Sequence, residues 1–198
     1  MRSANVTRVR HLVPLEARWK RQGHRGGVLW LTGLPASGKS TLVYGLEARL
    51  FADGFEVAAF DSARLRQGLN ADLGYSREDR RENIRRAGEL AAVMARAGLV
   101  VIVGFISPYA ADRAAARKAA GKDFHEIYLS APAEVCAARD ARGRYAQAEA
   151  GELADFTGVT APYEVPEAPD LTLDTATRNA ADCLDELAAY AARHFRDG

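Results

Sequence analysis

Val28-Leu-Trp-Leu-Thr32 runs directly into Gly33-Leu-Pro-Ala-Ser-Gly38-Lys39-Ser40. The first five residues form a continuous apolar run, the pattern of a strand buried on both faces of a parallel sheet. The next eight have the spacing G-x-x-x-x-G-K-S, and beyond them Leu42, Leu46 and Leu50 recur at helical intervals until Gly54. A glycine-rich turn between a buried strand and an amphipathic helix lets successive backbone N–H groups wrap a phosphate at the helix's positive end. Gly33, Leu34, Pro35, Ala36, Ser37, Gly38, Lys39, Ser40 and Thr41 therefore read as the loop of an ATP site. Lys39 supplies charge for the β- and γ-phosphates, and Ser40 a hydroxyl for Mg2+.

Outward from this loop, strands and helices alternate. Val57–Phe60 reads as a second strand closed by Asp61, Leu99–Val103 as a third, Glu126–Leu129 as a fourth and Leu171–Leu173 as a last. Helices are expected over Thr41–Ala52, Arg77–Ala97, Asp112–Ala120, from Pro132 onward, and over Arg178–Phe195. Arg139 to Pro169 is polar, rich in glycine and proline, and without a clear period. Such alternation specifies an α/β fold in three layers, a five-stranded parallel sheet with helices on both faces, of the P-loop NTPase type. The expected division is an N-terminal arm over 1–27 and a kinase domain over 28–198, with a lid at about 139–156. The arm is basic (Arg8, Arg10, Arg18, Lys20, Arg21 and Arg25) and reads either as a helical or extended arm or as a partly disordered tail.

The 198 residues fit one domain able to bury a core, and 27 basic against 26 acidic side chains leave a net charge of +1. That balance makes no case for nucleic acid or a membrane surface as partner, so any anion site must be local. Cys136 and Cys183 form neither a metal motif nor a disulfide framework and read as reduced thiols. No apolar leader or membrane-length run is visible, so the expected location is cytoplasmic. His24, His125 and His194 show no partner spacing.

Further motifs are Gly23-His-Arg-Gly-Gly-Val-Leu-Trp30, Arg66-Gln-Gly-Leu-Asn70, Asp72-Leu-Gly-Tyr-Ser76, Glu78-Asp-Arg80 and Glu82-Asn-Ile-Arg-Arg86. Phe105-Ile-Ser-Pro-Tyr109, Asp155-Phe-Thr-Gly158 and Ala161-Pro-Tyr-Glu164 complete the set. With these, the chain from Gly23 to about Asp174 resembles the adenylylsulfate kinase (APS kinase) family. The resemblance implies transfer of the ATP γ-phosphate to the 3′-hydroxyl of adenosine 5′-phosphosulfate by a cytoplasmic homodimer. It implies that Arg66 and Arg80 supply cations to the acceptor and Asn83 a hydrogen bond, with Ile106 and Ser107 contacting the same nucleotide. Tyr75 and Phe156 match the aromatic pair that sandwiches its adenine, and Arg139 and Arg142 begin an arginine-bearing lid over ATP. Lys39, Asp61 and Ser107 are the candidate catalytic residues, with Ser40 and Asp61 toward the metal. Ser107 reads equally as a capping hydroxyl after a strand.

Departures cluster on the acceptor side. The family's Asp-Gly-Asp-Asn is here Asp61-Ser-Ala63-Arg64, so Ala63 stands where the second aspartate belongs. Ala110 replaces the arginine after Ile-Ser-Pro-Tyr, and Ala154 the cation before the Phe-Thr-Gly segment. Three functions stay open: an adenylylsulfate kinase in which Asp61 compensates, a related kinase for another nucleotide-linked or small anionic hydroxyl compound, and a weakly active nucleotide-binding regulatory domain.

Overall fold

The computed structural model describes residues 11–196. Five parallel strands, β1 (Gly27–Thr32), β2 (Val57–Asp61), β3 (Val100–Gly104), β4 (Phe124–Ser130) and β5 (Leu171–Asp174), lie in the order β2-β3-β1-β4-β5. The helices are α1 (Leu15–Gln22), α2 (Lys39–Ala52), α3 (Ser62–Arg66), α4 (Arg77–Arg96), α5 (Ala110–Ala120), α6 (Ala133–Ala138), α7 (Arg144–Glu149) and α8 (Ala180–Phe195).

Side chains alternate across a strand, so β1 feeds two cores. Leu29 and Leu31 pack with Leu42, Leu46, Leu187 and Phe195 under α2 and α8. Val28 and Trp30 pack with Ile84, Ala87 and Ala91 of α4 on the opposite face. All six residues of β1 are buried, which is why the run shows no polar alternation. Gly104 lets α2 come close: a Cβ there would lie 2.8 Å from Val43 Cγ2. The register pairs Leu31 with Gly104 and Gly104 with Asp61, bringing the carboxyl ends of three strands level. The phosphate loop, Asp61 and the segment after β3 leave the sheet side by side, where open α/β sheets bind ligands.

Several boundaries differ from the sequence expectation for local reasons. Helix α5 starts at Ala110, not Asp112, because Glu164 accepts a hydrogen bond from the Ala110 N–H (2.7 Å). The final helix starts at Ala180, where Asn179 caps it by accepting from the Asp182 N–H (2.9 Å). The stretch after Arg139 that shows no period contains α7, and α3 follows β2 without a break. Both are about one turn long, too short to display periodicity.

Of the expected arm, 1–10 lie outside the described residues; α1 and the turn after it are fastened to the domain. Arg18 donates to the Ala97 carbonyl (3.3 Å), and buried His24 accepts from the Glu56 N–H (2.8 Å). β1 begins one residue inside the span expected for the arm. Cys136 and Cys183 are buried free thiols. Among the described residues no helix is long and apolar enough to cross a membrane.

Candidate active site

The loop from Gly33 to Gly38 owes its shape to two left-handed residues, Ala36 (φ 61°) and Gly38 (φ 94°), and to a turn in which Ser37 donates to the Leu34 carbonyl (3.1 Å). Lys39 folds beneath it, donating from Nζ to the carbonyls of Gly33 (3.0 Å) and Leu34 (2.6 Å) and to Ser37 Oγ (3.3 Å). Enclosure lowers the Lys39 pKa from 10.5 to about 7; the Arg144 charge adds to this, against the pull of Cys136 and Asp61. A phosphate in the loop would favour the charged form.

Ser40, at the exposed start of α2, donates to Asp61 Oδ2 (2.9 Å). The other carboxylate oxygen caps α3 by accepting from the Arg64 N–H (2.9 Å). Two hard oxygen donors at hydrogen-bond distance fit a magnesium ion that takes its remaining ligands from phosphates and water. Among the described residues no cluster of three or more histidine, cysteine, aspartate or glutamate side chains offers a metal an all-protein cage. Ala63 is exposed on α3 and is not part of the cavity wall described next, whereas Ser62 is.

A cavity of about 460 Å³ opens beside the loop, with Pro35 in its wall. Arg66, Tyr75, Arg80, Asn83, Ile106, Ser107 and Phe156, scattered over ninety residues of chain, all line it. Arg66 donates to the carbonyls of Leu73 and Gly74 (2.7 Å each) and lies 4.4 Å over the Tyr75 ring. Arg80 donates to the Tyr75 carbonyl (2.8 Å) and to Thr157 Oγ1 (3.3 Å). Asn83 is buried, accepting from Asn70 (2.7 Å) and donating to Ser62 Oγ (3.1 Å). Tyr75 is 70% exposed with Arg66 on one face, so only its other face is open for stacking. Phe156 is held edge-on to Tyr145 of α7, with ring centroids 4.9 Å apart.

Ser107 combines a place in the cavity wall with an engaged hydroxyl. Its hydroxyl is buried, accepting from Trp30 Nε1 (3.1 Å) and donating to Thr32 Oγ1 (3.0 Å), which donates on to the Ile106 carbonyl (2.7 Å). A hydroxyl so engaged holds the backbone after β3, as the capping alternative for this residue expects. At φ 41° it is strained, and Ala36 and Asp155 (φ 55°), the other non-glycine residues at positive φ among those described, border the same site.

The two expected lid arginines separate. Arg142 lines the cavity, whereas Arg139 ends α6 and reaches the Ala176 carbonyl (3.4 Å) in the turn after β5. Helix α7 docks on the loop through Tyr145, whose hydroxyl donates to the Pro35 carbonyl (2.9 Å). Sequence reasoning missed Arg144, also in the cavity wall, and the buried cation Arg113. Arg113 donates to Glu126 (2.6 Å), the Ser107 carbonyl (2.8 Å) and the Glu164 carbonyl (2.8 Å). This gives the Ala161–Glu164 motif its physical role, clamping the segment after β3; the motif was visible, but its partner was not. His125 pairs with the Tyr190 hydroxyl (2.9 Å) beside His194, a contact that spacing along the chain did not reveal.

A lysine-bearing phosphate loop whose neighbouring cavity is lined by arginines is built to bring two anionic substrates together, which places the molecule among the P-loop phosphotransferases. The adenylylsulphate kinase family model matches residues 25–174. The chain belongs to that family and is an ATP-dependent kinase. The adenylyl-sulfate kinase of Clostridium acetobutylicum is 44% identical over 193 residues, 98% of this chain and 96% of its own length. That of Enterobacter sp. (strain 638) is 48% identical over 171 residues, 86% and 85% of the two chains. Among solved structures, the Mycobacterium tuberculosis APS kinase in complex with AMPPNP and APS matches with a TM-score of 0.79 at 43% identity, over 83% of this chain and 96% of that one.

Proposed function

We propose that the chain transfers the γ-phosphate of ATP to the 3′-hydroxyl of adenosine 5′-phosphosulfate in sulfate assimilation. The observation that carries this reading is the gathering of all seven expected acceptor-side residues around one cavity beside the phosphate loop. ATP lies with its phosphates in Gly33–Ser40, and Lys39 transfers its hydrogen bonds from the loop carbonyls to the phosphates. Ser40 and Asp61 would hold magnesium, which when bound would neutralise phosphate charge. Arg66, Arg80 and Asn83 bind the acceptor, while Phe156 and the open face of Tyr75 take its base. Transfer of this kind rests on position and charge more than on a strong base, so Asp61 suffices as the carboxylate of its run although Ala63 carries none. Lid closure over the loop keeps water from competing with the acceptor hydroxyl. A cytoplasmic homodimer is part of the same reading, and light scattering of the purified protein tests the assembly.

The deciding experiment measures ATP consumption with magnesium and adenosine 5′-phosphosulfate, then with a panel of other hydroxyl acceptors. Rapid formation of the 3′-phosphorylated product is expected. Ala110 and Ala154 favour one second reading, a changed acceptor; turnover confined to another compound in the panel would select it and overturn the first.

A further inference from the structure

Arg144 is a cation whose bonding is incomplete. The side chain is 42% exposed overall, but its Nε is buried without a hydrogen-bond partner, and Asp140 Oδ1 lies 3.8 Å away, close enough for an ion pair and beyond hydrogen-bond reach. Asp140 is already engaged, its carboxylate accepting from the N–H groups of Tyr145 (3.0 Å) and Arg142 (3.3 Å). The Arg144 guanidinium is 6.0 Å from the centre of the Phe156 ring and lines the same cavity as Phe156 and Ala154. It is near enough to the phosphate loop for its charge to act on Lys39. Across the cavity, Arg66 also has a buried Nε without a partner. Buried N–H donors left unpaired are costly, and a guanidinium recovers that cost best by a charge-assisted pair with an anion. Two such groups facing one cavity mark it as an anion site with its ligating atoms in waiting.

We propose that Arg144 is an acceptor-binding residue that pairs with the phosphate or sulfate oxygens of the acceptor, supplying from α7 the charge that position 154 lacks. The inference rests on the functional reading above, since it takes adenosine 5′-phosphosulfate as the anion. It also assigns the loss at Ala154 a physical meaning: the cation has moved to another wall of the same cavity.

The test is steady-state kinetics on the full chain. Arg144→Ala is expected to raise KM for adenosine 5′-phosphosulfate about 10- to 100-fold while KM for ATP stays within about twofold. Its Tm should stay at the wild-type value, because the side chain makes no hydrogen bond to the rest of the protein at Nε. Arg144→Lys should recover part of the acceptor affinity, and Ala154→Lys added to Arg144→Ala should recover most of it. An acceptor KM unmoved by Arg144→Ala overturns the assignment, and so do equal rises in both KM values, which would put Arg144 on the donor. A wild-type protein inactive on this acceptor removes the functional reading and the inference together; an active wild type with an unmoved variant removes the inference alone.

Discussion

The donor loop and the acceptor cavity are neighbours built on opposite plans. The loop is eight consecutive residues whose binding groups are mostly backbone N–H, positioned by φ angles at Ala36 and Gly38 and by the first turn of α2. Apart from Pro35, the cavity is assembled from residues between Ser62 and Thr157, brought together by strand register and by the segment that carries α7. A backbone site tolerates little change, because its spacing is its function. A side-chain site can lose a cation at one position and regain one from another wall. The loss at Ala154 falls on the second kind of site and that at Ala110 two residues beyond its wall at Pro108, while Lys39, Ser40 and the loop glycines are unaltered.

Breaking the donor side should therefore be the more complete. Lys39→Ala removes the charge at the transferring phosphate and is expected to lower kcat by at least about 10³-fold with any acceptor, with the fold intact by circular dichroism. Substantial activity in that variant would undo the contrast between the two sites.

On the acceptor side, Arg113 is the sharper probe. Its side chain is 3% exposed and that of Glu126 13%, so Arg113→Ala leaves a largely buried carboxylate with only the more distant Arg117 Nη2 (3.8 Å). The expected cost is about 3–5 kcal/mol of stability, read by denaturant unfolding. Pairing Arg113→Met with Glu126→Leu should return much of that stability. The double variant still lacks the bonds to the carbonyls of Ser107 and Glu164, so its acceptor KM should remain raised while KM for ATP does not.

The smallest effect expected is a pH dependence confined to the donor. Lys39 has its folded-state pKa lowered from 10.5 to about 7, so it loses its proton above about pH 7 unless phosphate restores it. ATP affinity measured by titration calorimetry should fall as pH rises through about 7 to 9, by less than about tenfold per unit. The sign for stability is opposite: without nucleotide, the unfolded chain holds this proton more tightly, so stability rises with pH between about 7 and 10.5. Lys39→Arg should flatten the affinity profile, because a guanidinium does not titrate in that range.

Legibility in the sequence followed the range of the interactions. The strands were readable because burial on both faces makes continuous apolar runs such as Val100–Val103, and α4 because Ser76 caps it locally by accepting from Asp79 N–H (3.1 Å). The start of α5 was misplaced because its cap, Glu164, lies fifty-four residues downstream. The bonds of the Ser107 hydroxyl were hidden for the same reason: its partners, Trp30 and Thr32, belong to β1.

By itself the sequence determined the phosphate loop, the parallel α/β architecture and the set of motif residues that line the neighbouring cavity, since each is written in contiguous spacing or in whole motifs. Only the tertiary structure decided how those motifs act. It turned the Ser107 hydroxyl inward, moved Arg139 to the turn after β5 and set Arg142 and Arg144 in the cavity wall. It also placed Ala63 outside that wall. Side-chain direction depends on what packs against each residue from distant parts of the chain, and that information is absent from local spacing.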